Sequence, residues 1–141
     1  MDGKKILVAY DGSPDSEKAL KLAAVFAKAM FAHLVLVSVV DLTPLLSDDT
    51  GNIGATLVEM RREREQTVDI GRMKAEDLGV TATTAVLEGN TPEVLINHAH
   101  AVRAMLIVVG TRGLGGFKRL LLGSTAQALV TYSDIPVVVA K

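Results

Sequence analysis

Residues 110–124, GTRGLGGFKRLLLGS, hold five of the chain's twelve glycines: Gly110, Gly113, Gly115, Gly116 and Gly123. Glycine costs backbone entropy on folding. Such a cluster therefore marks positive φ angles, or a backbone that must approach something leaving no room for a Cβ. A strand end, a glycine-rich turn and a helix start together make a phosphate cradle, because successive N–H groups converge and the helix N-terminus adds partial positive charge. Charge points the same way. No acid occurs between Glu93 and Asp134, whereas Arg103, Arg112, Lys118 and Arg119 supply four bases over those forty residues. The competing reading is a loop of solvated bases whose glycines serve only its turns.

Two common nucleotide loops are absent. Five residues after Gly110 comes Gly115, followed by Gly116 where a Walker loop has lysine, and the turn after the first strand, Asp11-Gly12-Ser13-Pro14, lacks the Gly-x-Gly-x-x-Gly fingerprint. What the segment does carry is Gly110-x2-Gly113-x9-Gly123-Ser124. At this chain's glycine and hydroxyl frequencies, that spacing arises by chance in about one sequence in a hundred. Asp11 stands where a strand end would present it, but a receiver-type phosphoacceptor belongs at the end of the third strand, where the chain has Glu88-Gly89. A flavin-type phosphate loop needs a hydroxyl-rich first turn, which residues 11–15 do not supply. His33, His98 and His100 have no spacing to a carboxylate pair, so no metal centre is expected. The glycine segment offers cations and hydroxyls but no carboxylate or histidine to act as a general base.

These residues must be positioned by a chain of 141, about one domain's worth, and a single domain over residues 1–141 is expected. With 49% hydrophobic and 22% charged residues and a mean hydropathy of +0.34, the composition excludes disorder as the main state. The absence of cysteine excludes disulfides, thiolate metal sites, iron–sulfur clusters and cysteine nucleophiles, and makes a reducing cytoplasm the expected location. A net charge of −1 gives no general field for nucleic acid or an anionic membrane. No run approaches the ~20 apolar residues of a membrane span, and the first apolar run is too short for a signal peptide.

Apolar runs at 6–10, 34–40, 105–109 and 136–140, with a valine- and threonine-rich run at 80–87, predict five strands. Ser13-Pro14 signals a helix start, and Ala19, Leu20, Ala23, Ala27 and Met30 follow at helical spacing. Residues 53–78 read as a long amphipathic helix, with Ile53, Leu57, Met60, Val68 and Leu78 near one stripe. Its charge run EMRRERE, including Arg61 with Glu65, is expected to be a solvated face. Thr91-Pro92 repeats the cap signal before a helix at 93–103, and 124–133 is a short helix. Residues 41–52 carry turn residues and acid and are expected to be a surface loop. Strands alternating with helices specify an α/β fold, a parallel sheet with helices on both faces, whose ligands bind beyond the carboxyl ends of the strands.

Placed at the end of the fourth strand, the spacing Gly110-x2-Gly113-x9-Gly123-Ser124 resembles the signature of the ATP-binding branch of the universal stress protein family. Residues 6–13 (ILVAYDGS) and 135–139 (IPVVV) resemble its first and last strands, so the likeness covers nearly the whole chain. The chain departs from the family's pattern at Met105, where an acid is common, and at Gly89-Asn90-Thr91-Pro92, where Gly-x-Pro is usual. The resemblance implies a doubly wound sheet of strand order 3-2-1-4-5, of the adenine nucleotide alpha hydrolase kind. It also implies a cytoplasmic homodimer binding ATP, or another adenosine nucleotide, together with Mg²⁺.

By that resemblance, Ala9, Tyr10 and Asp11 would border the adenosine, with the Asp11 carboxylate accepting from ribose hydroxyls. Val39 would meet the adenine edge through its backbone and side chain, and Val109 and Gly110 would line the floor. Arg112, Gly113, Gly115 and Gly116 would wrap the phosphates; Gly123, Ser124 and Thr125 would donate backbone N–H groups and hydroxyls. The dimer would pair residues 137–140 antiparallel with their twofold mates. The function implied is a nucleotide-binding regulatory module of the stress response. At most slow ATP hydrolysis is expected, with Arg112 or Lys118 stabilising charge. The alternative is a dimeric interaction protein of the same fold that binds no nucleotide.

Overall fold

The first apolar run forms β1 (Lys5–Ala9), with Ile6, Leu7 and Val8 wholly buried, in a computed structural model that describes residues 3–42, 53–111 and 122–141. Local chemistry starts the next element. Ser13 Oγ accepts from the Ser16 N–H at 3.2 Å, and Pro14, whose missing donor costs nothing there, opens α1 (Pro14–Met30). Phe31 ends this helix in the left-handed region, at φ 56°, and the Ala32 N–H closes back on the Ala27 carbonyl. There follow β2 (His33–Asp41), α2 (Ile53–Asp77), β3 (Ala82–Gly89), α3 (Thr91–Ala101), β4 (Leu106–Gly110), α4 (Ser124–Tyr132) and β5 (Val137–Ala140). The cap of α3 is Asn90 rather than Thr91. Its side chain accepts from the Glu93 N–H at 3.2 Å, which moves Thr91 and Pro92 into the first turn.

The five strands are parallel and ordered β3-β2-β1-β4-β5. Alternation divides the core. Ile6, Val8, Tyr10, Leu34, Leu36 and Val108 face α1 and α2, while Leu7, Val35, Val37, Ile107 and Val109 face α3 and α4. Each such aliphatic side chain, fully buried, contributes roughly 1.5–3 kcal/mol over an exposed one. Among the described residues, no helix is long and apolar enough to cross a membrane.

The burial on α2 differs from the stripe expected from sequence. Val68, Gly71 and Ala75 are buried, whereas Ile53 is exposed. The cause is close approach: a Cβ on Gly71 would lie 2.7 Å from Cε2 of Tyr10 and 3.1 Å from Cδ1 of Leu36. Small residues let the helix sit directly on the sheet. At 25 residues, α2 is about 37 Å long against roughly 30 Å for nine-residue β2, so its first turns overhang the strand ends. The charge run follows that overhang and lies beside the carboxyl-terminal halves of β3 and β2. The expected Arg61–Glu65 pair exists at 3.7 Å, but Arg61 binds Glu88 more closely, at 2.7 Å, and donates to the Val86 carbonyl at 3.3 Å.

Candidate functional site

The chain proceeds from β1 outward to β2 and β3, then crosses back to β4 and β5, so the strand order reverses between β1 and β4. A cleft beyond the carboxyl ends at such a reversal is where α/β sheets bind ligands. Register brings the strand-end residues together. Ala9 pairs with Val37 and Val8 with Val108; two or three residues further along, Val39 and Gly110 follow on β2 and β4, with Asp11 just past the end of β1 between them. The side chains of Ala9, Val39 and Val109 all pack on the α3/α4 face, forming an apolar row across β2, β1 and β4.

The backbone of Val39 is aimed at the cleft. His33 N–H bonds Lys4 O, and Val37 O accepts from Tyr10 N–H, so odd-numbered residues of β2 direct their polar groups toward β1. Val39 has the same parity, and β1 has ended by its level. Asp11 is held in the β1–α1 turn, where its Oδ1 accepts from the Ser13 N–H at 2.9 Å. Gly12 completes the turn at φ 81°, a conformation that disfavours other residues.

Tyr10 contributes only its backbone to this edge. Its ring lies in the α1/α2 core, 2% exposed, and its hydroxyl donates to Glu17 Oε2 at 2.7 Å. Burial first, and then the bonded carboxylate, push the phenol well above its ordinary pKa and keep it protonated. Gly110 has an architectural role too: a Cβ there would meet the backbone of Asp15 in α1.

Three helix N-termini at this end of the sheet have described caps, and they differ in electrostatics. In α1 the cap is Ser13 and the first turn carries Asp15 and Glu17; in α3 the cap is Asn90 and the first turn carries Glu93. Those acids already complement the helix dipoles. The N-terminus of α4 has Gly123 as cap, no side-chain cap bond and no acid in its first turn. Its first N–H groups, at Ser124 and Thr125, have no intrahelical acceptor, so this is the end suited to an anion. Ser124 is exposed and Thr125 half-buried. The Gly123 N–H itself donates to the Thr111 carbonyl at 2.6 Å, tying the segment's two ends together. Arg112, Gly113, Gly115 and Gly116 lie outside the described residues.

Sequence reasoning missed one contributor. Arg64 of α2, read as part of a solvated face, donates from Nε to the Val39 carbonyl at 3.3 Å. A signal was present in Gly71, since a glycine seven residues on, within a charged helix, marks the face that approaches the sheet. The histidines stay outside the cleft: His100 Nε2 is 2.8 Å from Asp134 Oδ1 on an exposed surface, and burial lowers the pKa of His98. Among the described residues, no three His, Cys, Asp or Glu side chains are grouped to hold a metal.

Comparison with known proteins agrees with this architecture. A family model described as the universal stress protein family matches residues 3–141. Universal stress protein MJ0531 of Methanocaldococcus jannaschii is 33% identical over 139 residues, covering 98% of this chain and 82% of that protein. Universal stress protein YxiE of Bacillus subtilis is 32% identical over 145 residues, covering 97% and 98%. Among solved structures, universal stress protein UspA from Lactobacillus plantarum superposes with a TM-score of 0.83 at 23% identity, covering 100% and 99%. The Archaeoglobus fulgidus universal stress protein in complex with dAMP gives 0.74 at 22%, covering 100% of both chains. A universal stress protein in complex with cAMP gives 0.64 at 24%, covering 99% and 97%.

Proposed function

From the premise that this chain belongs to the universal stress protein family, we propose that it is an ATP-binding regulatory module working in the cytoplasm. The observation that carries the reading is the pairing of an apolar row, Ala9, Val39 and Val109, with an α4 N-terminus that has neither a side-chain cap nor a first-turn acid. An adenosine matches the first and a phosphate the second. The neighbours solved with dAMP and cAMP support an adenine nucleotide as the class of ligand.

In this reading the Val39 backbone meets the base, Asp11 accepts from the ribose, and Ser124 and Thr125 donate to phosphate. Arg112, Gly113, Gly115 and Gly116 are assigned to the phosphate chain from their spacing. Mg²⁺ would offset charge on the phosphates. Among the described residues, no three acids or histidines are grouped to hold it. Asp11, the acid that follows β1 at the reversal of strand order, is engaged by the Ser13 N–H, so water activation is weak and hydrolysis at most slow. The chain forms a homodimer through β5. This edge strand gives the Pro136 carbonyl to Ile107 N–H, so alternation turns the polar groups of Val137 and Val139 outward.

The alternative, a dimeric interaction protein with an empty cleft, gains from Gly110, whose glycine is explained by packing alone. Thermal melting decides between them. With about 1 mM Mg-ATP, ADP, AMP, GTP or cyclic nucleotide, a hundredfold excess over Kd gives about 2.7 kcal/mol, a shift of several degrees. Adenosine nucleotides should raise Tm in the native protein and fail to do so in Gly113→Val. No shift with any of them would favour the empty-cleft reading and turn the search to protein partners.

A further inference from the structure

The side of α2 facing β1 and α1 carries a ridge at intervals of three and four residues. Each of its members meets a different part of the site's scaffold. Lys74 pairs with Glu17, Gly71 lies against the Tyr10 ring, and Thr67 Cγ2 stands 3.3 Å from where Gly12 would carry a Cβ. Arg64, one turn nearer the overhang, bonds the Val39 carbonyl. The first three contacts pack or pin the helix. Arg64 differs because the group it binds is the backbone polar group directed past the end of β1, beside the apolar row.

A guanidinium held there has chemistry to offer a base. The bond to Val39 uses Nε, which seats the guanidinium end of the side chain beside the carbonyl that a base would share. That end is planar, permanently charged and weakly hydrated, and it stacks on aromatic rings. A carbonyl oxygen has two lone pairs, so Val39 can accept from Arg64 and from a base amine together. We propose that Arg64 is a base-recognition residue of the cleft, its guanidinium packing against the purine that docks on Val39. This inference rests on the nucleotide reading above and adds to it a contact from α2.

The test is calorimetric titration of adenosine, AMP and ATP into the native protein, Arg64→Met and Arg64→Lys, with the unliganded Tm of each as a control for folding. Loss of a stacked cation should weaken all three ligands by one common factor, roughly three- to thirtyfold. Arg64→Lys should not restore affinity, because an ammonium keeps the charge without the plane. A loss that grows from adenosine to ATP would make Arg64 a phosphate counter-ion and overturn the proposal. Unchanged or tighter binding would overturn it as well, reducing Arg64 to a brace or a competitor for the Val39 carbonyl. If the native protein binds none of the three ligands, the nucleotide reading itself fails, and this inference with it.

Discussion

A β-carbon on Gly110 would stand 2.5 Å from the Asp15 carbonyl oxygen, closer than any packed side chain tolerates. The last residue of β4 and the first turn of α1 are thus in direct backbone contact.

Gly110→Ala is therefore expected to destabilise the fold by about 1–3 kcal/mol, because a methyl group must displace backbone rather than a flexible chain. Urea denaturation would read this as a lower midpoint at unchanged slope. An unaltered midpoint would mean that α1 moves off β4 without cost.

Tyr10→Phe removes the bond to Glu17 and should cost about 1.5–3 kcal/mol, the range for a hydrogen bond to a charged group. It should also change the alkaline limb. The folded phenol holds its proton above the ordinary value of 10, so stability from this group is complete below pH 10 and is lost as pH rises beyond it. Stability curves of the native protein and Tyr10→Phe should accordingly converge above pH 10; parallel curves would show that the phenol is not coupled to folding.

Ser124→Ala should leave folding intact, since the side chain is exposed and makes no cap bond, yet weaken a phosphate-bearing ligand by roughly tenfold to a hundredfold. Titration with adenosine supplies the contrast. Its affinity should not change, and an equal loss for adenosine would place Ser124 away from the phosphates.

Val139→Pro removes an outward N–H from β5 while sparing the polar groups that face β4. Sedimentation at micromolar concentration should show a dimer for the native chain and a monomer for the variant. A dimer in both would locate the interface elsewhere.

The order and type of the elements were legible because their causes are local. Ser13-Pro14 starts α1 by its own hydrogen bonding, and the run through Ile6, Leu7 and Val8 reads as a strand buried on both faces. Residues whose partners are distant were not legible. Gly71 is set by the Tyr10 ring and Gly110 by the Asp15 backbone, and neither neighbour is near in sequence. Arg61 and Arg64 look like any solvated charges until the fold brings them to Val86 and Glu88 of β3 and to Val39 of β2. Of the candidate site, the glycine spacing and the place of Asp11 after β1 are visible in the sequence, whereas the bond from Arg64 of α2 to Val39 depends on tertiary geometry.

The bond from Gly123 N–H to Thr111 O fastens the two stems of the intervening segment at the foot of α4. Because closure entropy grows by only about 0.6 kcal/mol per doubling of length, a clasp of this kind tolerates changes in the number of residues it closes. The fold therefore offers a graft point: segments of other lengths could be spliced between Thr111 and Gly123 while the sheet ladder and α4 keep their own hydrogen bonds.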